Sequence, residues 1–430
     1  MIEKEFKVES MLNKEYISIR GGVPLVGEVA PDGAKNSALI HLAATCLLDD
    51  GWVTFNNLPM ISDVHMSLKM LEEAGFKYQV SKNSAKIYGR ATKFEFSEQY
   101  GGKIRASLAF LGSVLPRLGE IHLPVPGGDK IGERPIDIHI DILEAFGAET
   151  KISGGMIHSK VKELPLKGTE IYLRFPSVLA TVNGILLGVL AQGQTVLRNV
   201  AKEPEIVDLV SFLSKMGAKI VGAGTDTIFI TGVESLHSAE HEIVPDRLET
   251  GALIMAFVMS GGKGTVKDII PEHIMPMIHT LRSCGVDLSV EVDRIHINKV
   301  DLKKNFRLET KPYPGFATDL QPIITPLALA CPEGSVITDT IFKERFAHIE
   351  ELRKMGANIE RTGNTVRVIS QEPLVGSKVS GGDIRSVVCM INAGLAAEGE
   401  TKVYGIEHLA RGHVDFIDKL QKLNADIELV

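Results

Sequence analysis

An α/β protein of six similar units, three to a domain, is the architecture this chain predicts. Three observations carry the prediction. A glycine or asparagine ends a helical stretch at Gly75, Gly147, Gly217, Gly285, Gly356 and Asn424, at intervals of about 70 residues. A short β-branched run follows a glycine turn in five of the units. Two helical stretches and about four strands then fill each interval, a mixture too long for a common solenoid repeat.

Taken in order, the residues up to about Asn13 carry little pattern and read as an extension or a frayed end. Each unit then opens on a helix rich in Ala, Leu and Gly. A turn follows at Gly51, Gly193, Gly264, Gly334 and Gly399. The strands Val53–Phe55, Thr195–Leu197, Gly264–Val266, Val336–Thr338 and Thr401–Tyr404 come next. A second, amphipathic helix runs to the cap, and one or two strands close the unit. Six copies divide near Val244. Residues 36–244 form one three-unit domain, which carries a mobile loop at Asp129. Residues 1–35 and 245–430 form the other. No linker rich in Pro, Gly or Ser marks the junction.

Composition narrows the function classes. The chain has 430 residues, 44% hydrophobic and 23% charged, enough for two or more real cores. A net charge of −7 argues against a general nucleic-acid binder, so any working cations must be gathered locally. The apolar run around Gly184–Ala191 is too short to span a membrane, and the mixed-charge N-terminus does not read as a signal peptide. Cys46, Cys284, Cys331 and Cys389 are far apart and form no metal-type pair. Cys46 and Cys389 read as core thiols, and the usage fits a reducing cytoplasm. The histidines show no metal spacing, so no metal is expected. Neither a Walker loop nor a dinucleotide glycine fingerprint is present.

The repeat directs attention to charged residues. The first helices begin at Lys35–Asn36, Arg105, Ser177, Arg247, Asp319, and Asp383 with Arg385. A helix N-terminus presents free N–H groups and a positive dipole end, a natural anion site. The loops after the first strands add Asp129 and Arg134, Glu203, Arg345 and Arg411. Many arginines, a lysine and two isolated acids suit a phosphate-bearing substrate. The stretch Pro126–Arg134 adds glycines, which let a backbone approach a ligand. Each feature has a plainer reading. A glycine-rich charged loop can be an ordinary surface loop. Arginine is unfavourable at a helix start, and Asp246, Glu249 and Asp383 could hold Arg247 and Arg385 in structural ion pairs. Asp32 reads as an N-cap.

At these residues the chain resembles the enolpyruvyl transferase family. The matches are Gly33-Ala34-Lys35-Asn36, Lys103-Ile104-Arg105-Ala106-Ser107, and Pro126-Gly127-Gly128 through Ile131 to His139. They continue with Pro245-Asp246-Arg247-Leu248-Glu249-Thr250-Gly251, Tyr313 to Gln321, Ile341 to Phe346, Asp383-Ile384-Arg385 and Ala410-Arg411-Gly412. They run in order from about Gly21 to the C-terminus. Within the family the resemblance is to the branch whose acceptor is UDP-N-acetylglucosamine.

The resemblance implies two domains, each of three βαβαββ-like units around a helical core, an inside-out α/β barrel, closing on substrates in the cleft between them. It implies transfer of the enolpyruvyl group of phosphoenolpyruvate to the sugar 3-hydroxyl with release of phosphate. That is the first committed step of peptidoglycan precursor synthesis, and it needs no cofactor. By resemblance, Lys35, Arg105, Arg134, Arg345 and Arg411 hold phosphoenolpyruvate. Asp319 is the base toward the sugar hydroxyl, and Asp129 protonates carbon 3. The UDP-sugar is held by Asn36, Arg105, Arg134, Pro135, Ile136, Asp137, Ile138, Ser177, Val178, Asp319 and Ile341. Oligomeric state stays open.

Two departures stand out. Most of the family has cysteine where this chain has Asp129, which implies insensitivity to fosfomycin, a thiol alkylator. Its usual Ser-Val-Gly is Ser177-Val178-Leu179 here, adding bulk where the diphosphate is expected. Leu179 keeps open an acceptor such as UMP. A shikimate-type acceptor fits less well, because Ala34-Lys35-Asn36 replaces Ser-Lys-Ser. A non-catalytic nucleotide-sugar binder is the alternative from another class.

Overall fold

Six small sheets and six buried helices carry the chain in a computed structural model that describes residues 8–127, 131–132, 134–332 and 334–430. The described residues form two compact units. One comprises residues 33–127 and 134–244, the other residues 8–32, 131–132 and 245–430.

Five sheets have four strands and one has three. The pattern within a sheet repeats. Trp52–Asn56 pairs antiparallel with Ser84–Tyr88, which pairs with Lys77–Ser81, while Ala239–Glu242 adds a parallel edge. In the three-stranded sheet, Glu120–Pro124, Met156–Lys160 and Glu149–Ser153, the parallel edge shrinks to a single bridge between Glu95 and His122. All five strands read from the sequence lie inside observed strands.

The first helix of each repeat is buried on nearly every side. In one unit these are Lys35–Ala44, Ala109–Leu118 and Val178–Val189. In the other they are Arg247–Met259, Gln321–Ala330 and Ile384–Ala396. A helix apolar all round belongs in a core, and each of its buried leucines or isoleucines contributes about 1.5–3 kcal/mol. Small residues let such helices touch. A Cβ on Gly112 would lie 2.8 Å from the Cα of Asn183, whose Oδ1 accepts from the Gly112 N–H at 3.2 Å. The second helices keep one face in solvent: in Pro204–Lys215, Val207, Ser211 and Ser214 are exposed, while Ile206, Leu209, Phe212 and Leu213 are buried together with Glu205 and Asp208.

The helix-ending residues take the left-handed conformation their cap requires, from Gly75 at φ 111° to Asn424 at φ 75°. Four of the five turn glycines are also at positive φ. The fifth differs: the turn falls at Gly261, φ 66°, and Gly264 sits inside the strand Lys263–Lys267. Gly264 is required by crowding, since a Cβ there would lie 2.4 Å from the Phe257 ring and 2.5 Å from the Gly27 carbonyl oxygen. Asp32 is likewise not an N-cap. The helix Lys35–Ala44 starts after Ala34 with no side-chain cap, and Asp32 Oδ2 lies 3.1 Å from Lys419 Nζ.

Candidate active site

Lys35 and Arg247 open their helices, Ser177 and Asp383 are N-caps, and Arg105 and Asp319 lie in short 3-10 turns just ahead, which sets the positions of the charged side chains. In the first unit, Lys35 opens its helix. It is 8% exposed, and its Nζ lies 2.8 Å from Asp63 Oδ2. Asn36 beside it is exposed. Arg105 begins a 3-10 turn, Arg105–Leu108, ahead of Ala109–Leu118, and its Nη2 donates to the Pro135 carbonyl at 3.0 Å. Burial and the neighbouring charge of Arg134 lower its pKa to about 10. Two guanidinium groups that disfavour each other's charge are suited to share an anion.

The segment after Arg134 enters the helix Asp137–Ala145. Pro135 and Asp137 are exposed, Ile136 and Ile138 half-buried. Asp137 pairs with Arg174, a residue the sequence reading did not single out. Ser177 is the N-cap of Val178–Val189, but its side chain makes no capping bond. The first N–H groups of that helix thus keep their capacity for an anion. Val178 and Leu179 are half-buried in the first turn.

In the second unit Asp319 lies in the turn Thr318–Leu320 ahead of Gln321–Ala330. It accepts from Arg345 Nη1 at 2.6 Å and Arg385 Nη2 at 3.4 Å. Both arginines are 4% exposed, whereas the Asp319 side chain is 29% exposed. Burial alone would raise the pKa of Asp319. The charges of Arg345 and Arg385, the hydrogen bond from Arg345 and the charge of Arg247 outweigh it and hold the carboxyl well below its usual range. Arg345 Nη1 also donates to Thr318 Oγ1 at 3.3 Å, and Arg385 Nη1 lies 2.9 Å from His413 Nε2.

Buried Asp339 orders the neighbouring loop. Its Oδ1 accepts from the Ile341 and Phe342 N–H groups at 3.0 and 2.8 Å, and its Oδ2 from Thr318 Oγ1 at 2.7 Å. Ile341 is thereby fixed near the Asp319 turn. Arg411 follows the short helix Ile406–Leu409, its backbone N–H on the His408 carbonyl at 3.2 Å.

Asp246 and Asp383 cap their helices, accepting from the Leu248 and Glu249 N–H groups and from those of Arg385 and Ser386. Arg385 reaches past its cap to Asp319. Sequence reasoning noted Arg385 in the repeat without seeing that role, and it missed Asp63 and Asp339 altogether. Asp129 and Lys130 lie outside the described residues. Among the described residues no helix is long and apolar enough to cross a membrane.

Comparison with known proteins gives a consistent picture. The family profile for EPSP synthase (3-phosphoshikimate 1-carboxyvinyltransferase) matches residues 19–420. UDP-N-acetylglucosamine 1-carboxyvinyltransferase 2 of Staphylococcus saprophyticus is 41% identical over 418 residues, covering 96% of this chain and 99% of the relative. UDP-N-acetylglucosamine 1-carboxyvinyltransferase of Finegoldia magna is 41% identical over 424 residues, 97% and 99% covered. Among solved structures, the enolpyruvyl transferase NikO from Streptomyces tendae superposes with a TM-score of 0.86 at 23% identity, covering 96% of this chain and 98% of its own. EPSP synthase from Acinetobacter baumannii gives 0.75 at 16% identity, covering 97% and 100%. At those identities the two structures speak for the fold alone.

Proposed function

The chain belongs to the EPSP synthase family of enolpyruvyl transferases, and from that premise we propose that it transfers the enolpyruvyl group of phosphoenolpyruvate to the 3-hydroxyl of UDP-N-acetylglucosamine, releasing phosphate. The observation that carries the acceptor is the 41% identity over 96% of the chain to an enzyme so named. Together with the family's phosphoenolpyruvate residues Lys35, Arg105, Arg134, Arg345 and Arg411, it weighs against a non-catalytic binder.

The chemistry requires protonation of carbon 3, attack of the sugar hydroxyl on carbon 2, and loss of phosphate from the tetrahedral intermediate. Arg105 and Arg134 take one anionic group of phosphoenolpyruvate, and Lys35, Arg345 and Arg411 supply the remaining cations. Their charges position the substrate and stabilise charge as it develops. Asp319 removes the hydroxyl proton. With both guanidiniums on it, Asp319 is ionised at neutral pH and a weak base. A substrate anion that draws Arg345 or Arg385 toward itself strengthens that base, so substrate binding switches on proton abstraction. Asp129 gives the proton to carbon 3. Asn36 and Ile341 contact the sugar, the segment from Arg134 to Ile138 cradles the uracil, and Ser177 with the Val178 N–H takes the diphosphate. Four free, buried thiols support a reducing, cytoplasmic setting.

Leu179 favours a second reading, in which the acceptor is another nucleotide such as UMP. Phosphate release from phosphoenolpyruvate, measured in parallel with UDP-N-acetylglucosamine, UMP and shikimate 3-phosphate, decides between them. Release with UMP alone selects the second reading. Absence of release with every acceptor overturns the transferase assignment.

A further inference from the structure

Beneath the first turn that carries Lys35 and Asn36 lies a cluster the transferase chemistry does not use. His41 comes from the helix Lys35–Ala44, Asp208 from Pro204–Lys215 and His241 from the strand Ala239–Glu242. All three are buried, and their ligand atoms lie within 4.8 Å of one another. His241 Nε2 is 2.8 Å from Asp208 Oδ1, and His41 Nε2 is 3.5 Å from Asp208 Oδ2. The two imidazoles stack at 4.9 Å between centroids, with Phe55 and Phe212 against the His41 ring.

The hydrogen bonds select a tautomer. His41 Nδ1 lies 2.7 Å from the Ser37 carbonyl oxygen, which can only accept, so Nδ1 carries the proton. The lone pair is left on Nε2, which is completely buried, has no hydrogen-bond partner and faces the Asp208 carboxylate. A lone pair aimed at an anion in an apolar surround is costly unless a cation sits between them. Asp208 itself is 5% exposed, and no lysine or arginine pairs with it among the described residues. An Nδ1–H held by a backbone carbonyl with Nε2 bare is how ligating histidines are usually oriented.

We propose that His41 Nε2, Asp208 and His241 Nε2 form a structural site for one divalent transition-metal ion, with Zn²⁺ the best match and Ser37 Oγ in reach as the fourth ligand. Two imidazoles and a carboxylate suit Zn²⁺ at about 2.0–2.2 Å. Tetrahedral coordination at that length asks for about 3.3 Å between ligand atoms; the cluster's spacings run from 2.8 Å to no more than 4.8 Å, so the site closes by rotation of the rings toward the ion. Ser37 Oγ already donates to Asp208 Oδ2. The ion ties three elements of the first unit together under Lys35. The residues are far apart in sequence, so spacing gives no hint of the site.

The test uses the full-length protein, stripped with a chelator and dialysed, then titrated with Co²⁺ and followed by visible absorption, with Zn²⁺ as competitor. One equivalent binds, giving a tetrahedral spectrum that Zn²⁺ abolishes, and Zn²⁺ raises the thermal midpoint. H41L and H241F, each checked for folding by circular dichroism, lose the spectrum and the midpoint shift. Their affinity falls by more than the roughly 10–100-fold that loss of an outer-shell partner costs. Absence of uptake by folded wild-type protein, or uptake that survives in whichever variant folds, overturns the proposal. In the first case a shared proton occupies the cluster.

Discussion

Replacing Asp319 with Asn tests the arginine-flanked carboxylate directly. The substitution keeps the shape and removes the charge that Arg345 and Arg385 share. Loss of one partner from a buried ion pair costs about 3–5 kcal/mol. Two features reduce that here: the Asp319 side chain is 29% exposed, and Arg345 keeps Thr318 Oγ1 and feels the charge of Asp383. The expected loss of stability at neutral pH is therefore about 2–3 kcal/mol. It is read as a lower urea midpoint at unchanged slope. The sign of the pH dependence follows from the depressed pKa. Asp319 in the folded protein titrates below its ordinary 3.8. Its contribution is full above that value and disappears as pH falls through the folded pKa, so variant and wild type converge in strong acid. The same variant loses turnover by about 10²–10⁴-fold, the usual worth of a general base. Equal urea midpoints at neutral pH would refute the ion-pair reasoning, and unimpaired turnover would refute the role as base.

Three further outcomes are expected. Wild-type protein resists fosfomycin, and Asp129→Cys becomes subject to time-dependent inactivation, because a thiolate is alkylated where a carboxylate makes no stable adduct; rapid inactivation of the wild type would contradict this. His139 and His348 are buried beside Arg105 and Arg345 respectively, and burial first, then those charges, lower each pKa to about 3. The unfolded chain binds protons at these positions from 6.5 downward and the folded chain does not, so stability falls with decreasing pH at up to about 1.4 kcal/mol per unit for each. Urea midpoints between pH 7 and 4 should show that slope, and the variant H139N/H348Q should flatten it. Finally, a Cβ on Gly33 would fall 1.8 Å from the Asn57 carbonyl oxygen. Gly33→Ala should cost about 3 kcal/mol in denaturant titrations, and a loss under 1 kcal/mol would mean that the backbone around Asn57 yields easily.

The periodic features were legible because the same local physics acts six times. A left-handed helix cap wants Gly or Asn, and a buried helix wants small apolar residues, whatever the tertiary context. Gly264 shows the limit of that reasoning. Its lack of a side chain answers the Phe257 ring and the Gly27 backbone, not the turn three residues earlier, and only packing reveals this. Asp32 fails similarly: it resembles a cap locally, but Lys419, almost at the other end of the chain, claims it. The positions of Arg105, Arg247, Asp319 and Arg385 could be read from the repeat, whereas their partners could not. Asp63 beneath Lys35 and Asp339 beneath Ile341 sit in no motif, since what defines them is a neighbour in space. The pairing of His41 with Asp208 and His241 is hidden for the same reason.

The interleaving of the chain ends has a consequence for synthesis. Strand Ile17–Arg20 is sandwiched between Glu400–Tyr404 and Asp426–Leu429. Ser18 and Glu400, which share a hydrogen bond across that sheet, are 382 residues apart. At about 5–20 residues per second, a ribosome needs roughly 20–80 seconds to deliver the second after the first. Apart from residues 131–132, the described part of 33–244 forms the other unit and can complete its own core during that wait. The nascent strand near the N-terminus meanwhile keeps both edges open to any passing partner.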